Sequence, residues 1–103
     1  MSEVPMQPST GSSVEIWSTL VDKDFTFYYA LLNRNFNYRP EAWRLRVSGV
    51  YERLWVGNAA FKYASVSLSA SGRTLVIAYS RSNTRDSSTP FLPYFTTIPN
   101  LLV

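Results

Sequence analysis

Apolar and polar residues alternate along much of this chain at the period of two that a β-strand imposes. The clearest stretch is Trp43–Tyr51. Trp43, Leu45, Val47 and Tyr51 fall on one face, and Arg44, Arg46 and Ser48 on the other, which predicts one strand with a dry face and a wet one. Residues 59–70 predict a long strand, with Val66 and Leu68 on one face and Ser65, Ser67 and Ser69 on the other. Ser71-Gly72 turns it into a second strand, 73–80, where Leu75, Ile77 and Tyr79 alternate with Thr74, Val76, Ala78 and Ser80. Val14–Val21 is a further strand, closed by the turn residues Asp22-Lys23-Asp24. Phe25–Leu32 is apolar on both faces, which fits a strand covered on both sides or one that meets a partner; a short helix over 29–33 is the rival reading. Asn33–Pro40 reads as an Asn-rich loop, Glu52–Trp55 is ambiguous, and Gly57-Asn58 is a turn.

The ends differ from this middle. Residues 1–13 form a polar arm with Pro, Gly and Ser and no period. Residues 81–90 form a polar loop. Residues 91–103 are apolar but broken by Pro93 and Pro99, so a long helix is excluded and an extended segment is expected. The domain organisation is therefore an arm (1–13), a β-rich body (14–90) and an apolar tail (91–103). The expected fold is all-β: a small antiparallel β-sandwich or barrel with extended N- and C-terminal arms.

Composition narrows the chemistry. The chain has neither Cys nor His, which removes disulfides, thiolate nucleophiles, zinc–thiolate sites and the commonest general base. A Ser nucleophile would need Lys as base, and neither Lys23 nor Lys62 stands three residues after a Ser. Asp22 and Asp24 are a two-ligand calcium candidate, and Glu41 with Glu52 an acid/base candidate; no local pattern supports either. The chain is expected not to be an enzyme, and no cofactor, metal site or small-molecule substrate is expected. Met1–Pro5 shows no secretory signal, and no apolar run approaches membrane-spanning length, so a compartment is not assigned.

Charge suggests partners. The net charge is +3, but residues 1–24 sum to −3 and residues 25–103 to +6, and most of the basic residues are Arg. Arg suits phosphate and carboxylate contacts. Arg34, Phe36, Tyr38 and Arg39 share one loop, and Arg44 and Arg46 the wet face of the next strand; together they are candidates for holding RNA or single-stranded DNA, rings on bases and guanidinium groups on phosphates. In the tail, Phe91, Leu92, Tyr94, Phe95, Ile98, Leu101, Leu102 and Val103 either pack back on the chain's own sheet or lie on a neighbouring copy. The leading expectation is a structural protein that self-associates through its terminal segments into a homo-oligomer, in the character of a small virion or coat subunit. The alternatives are a single-stranded nucleic-acid-binding module and an adaptor that binds a partner protein through a strand edge or the tail.

Overall fold

A computed structural model describes residues 13–58, 60–82 and 90–103. The predicted arm thus lies outside the described residues except for Ser13, as do most of the loop 81–90 and the first residue of the 59–70 strand. Seven strands account for most of these residues: β1 (Val14–Val21), β2 (Phe27–Asn33), β3 (Arg39–Leu45), β4 (Tyr51–Val56), β5 (Lys62–Ser71), β6 (Thr74–Ser82) and β7 (Leu92–Ile98), with a 3-10 turn at Arg34–Phe36. All pairing is antiparallel. One sheet has the order β1-β2-β3-β4 and the other β5-β6-β7.

The expected β5–β6 hairpin is present, with Ser71 opposite Thr74 and Gly72 at φ 58 in the turn between them. Its apolar face supplies Val66, Leu75 and Ile77 to the main core. The other face carries the serines; Ser65 and Ser80 hydroxyls lie 3.0 Å apart across the ladder, and Ser67 and Ser69 are exposed. β2 is a strand throughout, not a helix. Its Tyr28, Ala30 and Leu32 join Ala42, Tyr63, Val66, Leu75, Ile77 and Leu102 in the core between the sheets.

The strand expected over 43–51 is instead a hairpin. β3 stops at Leu45, and the Arg46 N–H donates to Val50 O (3.1 Å) while the Gly49 N–H donates to Arg46 O (2.8 Å). Gly49 has φ 92, which bends the chain where a side chain would be strained. Val47, placed on the dry face by alternation, is 78% exposed at the tip. Pattern alone cannot tell a turn from a strand when polar and apolar residues still alternate through it. The ambiguous stretch 52–55 is the return strand β4. The Asn-rich loop is shorter than expected, because Arg39 and Pro40 already pair with Asn33 and Leu32.

The C-terminal segment is part of the fold. β7 pairs along β6 from Leu92 opposite Arg81 to Ile98 opposite Leu75. Pro93 is accommodated because β7 is an edge strand. Beyond it, the N–H groups of Leu101 and Leu102 both donate to Arg73 O (2.9 Å each), and the Arg73 Nε donates to Leu102 O (3.0 Å). Of the eight apolar tail residues, Leu102 is buried at 4%, Phe91, Tyr94, Ile98 and Leu101 are half-buried, and Leu92, Phe95 and Val103 are exposed.

Leu102→Ala should lower the unfolding free energy in urea by about 2–5 kcal/mol, because Leu102 plugs the end of the main core. A change below about 0.5 kcal/mol would mean that this residue does not pack on its own chain.

Candidate functional site

The strand directions gather one set of residues at one end of the molecule. β1 begins there opposite the end of β2, β3 begins there, and β4 ends there opposite Glu41. The link from β4 to β5 is pinned to the same end: the Gly57 N–H donates to Pro40 O (2.9 Å) and the Asn37 side chain to Phe61 O (3.1 Å). A Cβ on Gly57 would come within 2.7 Å of Pro40 Cγ, so glycine is required for this close approach. β6 ends and β7 begins here too, because Tyr63 pairs with Arg81 and Arg81 with Leu92.

The six residues expected to hold nucleic acid do not form one surface. Arg34, Phe36, Tyr38 and Arg39 are at this end. Arg46 is in the β3–β4 turn, about 20 Å away by the rise of a strand. Arg44 is in β3 opposite Glu52, and it turns to the same side of the sheet as Tyr28 and Ala42 because paired residues share a face. Three of the four arginines are also neutralised. Arg34 Nε is 2.8 Å from Glu15 Oε2, Arg39 Nη2 is 2.9 Å from Glu41 Oε2 and Arg44 Nη2 is 2.6 Å from Glu52 Oε1. Arg46 is exposed.

The two glutamates considered as an acid/base pair are separated as well. Glu52 faces its arginine on one side of the sheet. Glu41 is on the other side and is 1% exposed. Its carboxylate accepts from Asn33 Nδ2 (3.2 Å), Arg39 Nη2 (2.9 Å) and Trp43 Nε1 (2.9 Å). Each donor compensates part of the cost of burying the charge. The Arg39 guanidinium in turn lies 3.9 Å from the Phe36 ring centre. Glu41 therefore ties the 3-10 turn, β2 and β3 together. Tyr29 lies on this face with its hydroxyl buried and without a hydrogen-bond partner, as is the hydroxyl of Tyr51. Burial first, then the nearby Tyr51 and Glu41, push the Tyr29 phenol far above the usual range.

Asp22 and Asp24 sit in the β1–β2 turn. Asp22 spends its oxygens internally, accepting from the Asp24 and Thr26 N–H groups (3.0 Å each) and from the Tyr28 hydroxyl (2.9 Å). Burial alone would raise its carboxyl pKa; these bonds, with one from the Val103 N–H, outweigh it and hold it below the usual aspartate value. Burial and then the same carboxylate push Tyr28 up. Among the described residues no cluster of three or more carboxylates suits a metal ion, and no helix is long and apolar enough to cross a membrane.

A second cationic–aromatic group was not anticipated. The Arg81 guanidinium lies 4.1 Å from the Phe61 ring centre and 4.2 Å from that of Tyr94. The rings continue from Tyr94 to Tyr79 (5.8 Å, nearly parallel), and from Tyr79 to Trp55 (5.2 Å) and Tyr63 (5.9 Å). Beside this group runs a groove of about 410 Å³ lined by Glu15, Trp17, Leu32, Tyr38, Lys62, Tyr63, Ala64 and Phe91. The signal for Arg81 was present: it continues the Ile77, Tyr79 alternation by one more step, into residues whose polarity reads as loop.

Comparison with known proteins gives no match to a protein family, to a curated protein or to a solved structure.

Glu41→Ala strands the Arg39 charge beneath the sheet surface and should cost about 3–5 kcal/mol in urea unfolding; a cost below about 1 kcal/mol would show that the carboxylate is not the tie between these strands. The stability supplied by Asp22 is complete above the unfolded aspartate pKa of ~3.9 and is lost as pH falls through its lower folded value. Acid titration of wild type against Asp22→Asn, followed by circular dichroism, should show the difference between them shrinking over that window. A difference that grows towards low pH would contradict the assigned hydrogen bonds.

Proposed function

We propose that this chain is a non-enzymatic structural subunit, a small two-sheet β-sandwich that assembles with copies of itself. A sandwich fits better than a closed barrel. The sheets approach at β1 and β5, where the Leu68 N–H donates to Ser18 Oγ (3.0 Å), and no ladder joins β4 to β7.

The observation that carries the reading is the second apolar face of the four-stranded sheet. Tyr29, Leu31 and Leu45 are buried there in a cluster of their own, with Val14, Phe27, Trp43 and Tyr51 packed around them. The β5–β6–β7 sheet packs on the opposite face. Ile16 and Val21 pair with Leu31 and Phe27 and so share the outer face, where they are 41% and 49% exposed. A sheet that needs only one apolar face reads polar on the other; this one does not. An apolar sheet face flanked by exposed aliphatic side chains suits an isologous contact with a second copy. The tail contributes differently from the sequence expectation. Leu102 stays in its own core, while Leu92 and Phe95 project from the free edge strand β7 and offer a second contact for extended assembly.

Light scattering after size exclusion should give a mass above that of one chain, rising with concentration. Ile16→Glu with Val21→Glu should return the protein to a monomer with an unchanged far-ultraviolet spectrum. Phe95→Glu should limit growth beyond the first contact. A wild type that remains monomeric at every concentration would sink this reading.

A further inference from the structure

Four of the arginines in the described residues are spent on a neighbour. Arg34, Arg39 and Arg44 each hold a carboxylate, and Arg73 holds a backbone carbonyl. Arg81 and Lys62 are different. Neither meets a carboxylate among the described residues, and both stand at the end of the molecule where the exposed rings gather. The Arg81 Nε is buried without a hydrogen-bond partner, while the rest of the guanidinium bonds to the Tyr94 and Tyr63 side chains and meets no carboxylate among the described residues. The Phe61 and Tyr94 rings both lie against its guanidinium and limit its movement. A cation held in this way keeps its full charge and has already lost much of its rotamer freedom, so an anion that docks on it incurs little further ordering cost.

The groove adjoins this cation through Tyr63, which lines it and also packs on Tyr79 next to Tyr94. Trp17 and Tyr38 line the groove and are 48% and 41% exposed, and Lys62 lines it as well. The Glu15 carboxylate on the rim is already engaged by Arg34. Its volume is within the range of small-ligand clefts. Trp17 occupies the β-bulge between Ile16 and Ser18, which turns its side chain out of the alternation of β1.

We propose that this end of the molecule binds a single-stranded polynucleotide, with phosphates on Arg81 and Lys62 and unpaired bases stacked on Trp17 and Tyr38. The ligand class follows from the mixture of groups. An acidic peptide would use the two cations and leave the rings idle. A duplex would present phosphates but keep its bases inside. A single strand alternates a flat ring system with a negative charge, as this surface alternates rings with cations. The site differs from the one expected from sequence: Tyr38 is shared, but the cations are Lys62 and Arg81 in place of Arg34, Arg39 and Arg44, which are already paired, and of Arg46, which is at the far end.

The test is fluorescence anisotropy with labelled uridine and thymidine dodecamers across a salt series. Affinity should fall with salt, with a slope of about −0.7 per phosphate neutralised. Lys62→Ala should reduce that slope by about 0.7. Tyr38→Ala should weaken binding roughly five- to a hundredfold with the slope unchanged. Arg81→Gln should do both; if it unfolds, the Lys62 and Tyr38 variants still decide the matter. Arg46→Ala, at the far end, should change nothing. Tighter binding of the ribose or the deoxyribose strand identifies the source of the ligand. Equal affinity for a duplex dodecamer or for polyglutamate, no measurable binding of either single strand, or loss of binding on Arg46→Ala alone would each overturn the proposal.

Discussion

Strand β2 leaves no face to water. Tyr28, Ala30 and Leu32 look towards the second sheet while Tyr29 and Leu31 look away from it, and all five are fully buried. With β1 and β3 hydrogen-bonded on either side, this strand is enclosed in every direction, and much else follows from that. The inner residues require a second sheet, which β5, β6 and β7 supply. The outer residues require cover that the second sheet cannot give, so Trp43, Tyr51 and Phe27 lean over them. The cover is incomplete, and the aliphatic side chains at the β1 edge remain in water. The same constraint thus builds the core and leaves the surface on which the assembly reading rests.

Charge is arranged around this apolar plan. Glu15, Asp22, Glu41 and Glu52 each have an arginine or several N–H groups within reach, and the Glu41 set shows why: buried between strands, a charge persists only with donors on most sides. Once Glu15 and Glu41 are engaged, no carboxylate among the described residues meets Lys62 or Arg81 at the β2–β3 end. The surplus is a product of where pairing stops, which the net charge of the sequence does not reveal.

Period-two alternation was enough to find β5 and β6, β-branched residues marked β1, and an unbroken apolar run marked β2. It failed at 43–51, where Ser48-Gly49 turns the chain while alternation continues through the bend. It did not mark β7 as a strand of the sheet, because Pro93 within it and Pro99 after it read as breakers and left only an extended segment, although an edge strand tolerates Pro93. The binding candidates suffered for a different reason. Arg34, Arg39 and Arg44 look alike in sequence to Arg81, and what separates them is whether a carboxylate stands opposite, which depends on register. Arg39 and Glu41 are two residues apart on one strand face; Arg44 and Glu52 meet only because the unforeseen hairpin brings them together. The doubly apolar character of β2 was legible, and so was the choice it posed between a covered strand and one that meets a partner.

Both sheets are meanders in which every strand pairs with its neighbour in sequence, β1 through β4 and then β5 through β7. Each ladder therefore closes only a short loop, and no early step has to bring distant parts of the chain into register. For an all-β protein this is a favourable kinetic arrangement, since folding slows as contacts become more remote along the chain. The long-range part of the work is confined to docking one meander on the other, where isolated bonds such as Leu68 N–H to Ser18 Oγ and Lys23 N–H to Val103 O stand in for a ladder. A chain with this topology can pair the strands of each sheet as local steps before the two sheets dock. Only the last step, the closing of one sheet on the other, has to wait for residues at the end of the chain.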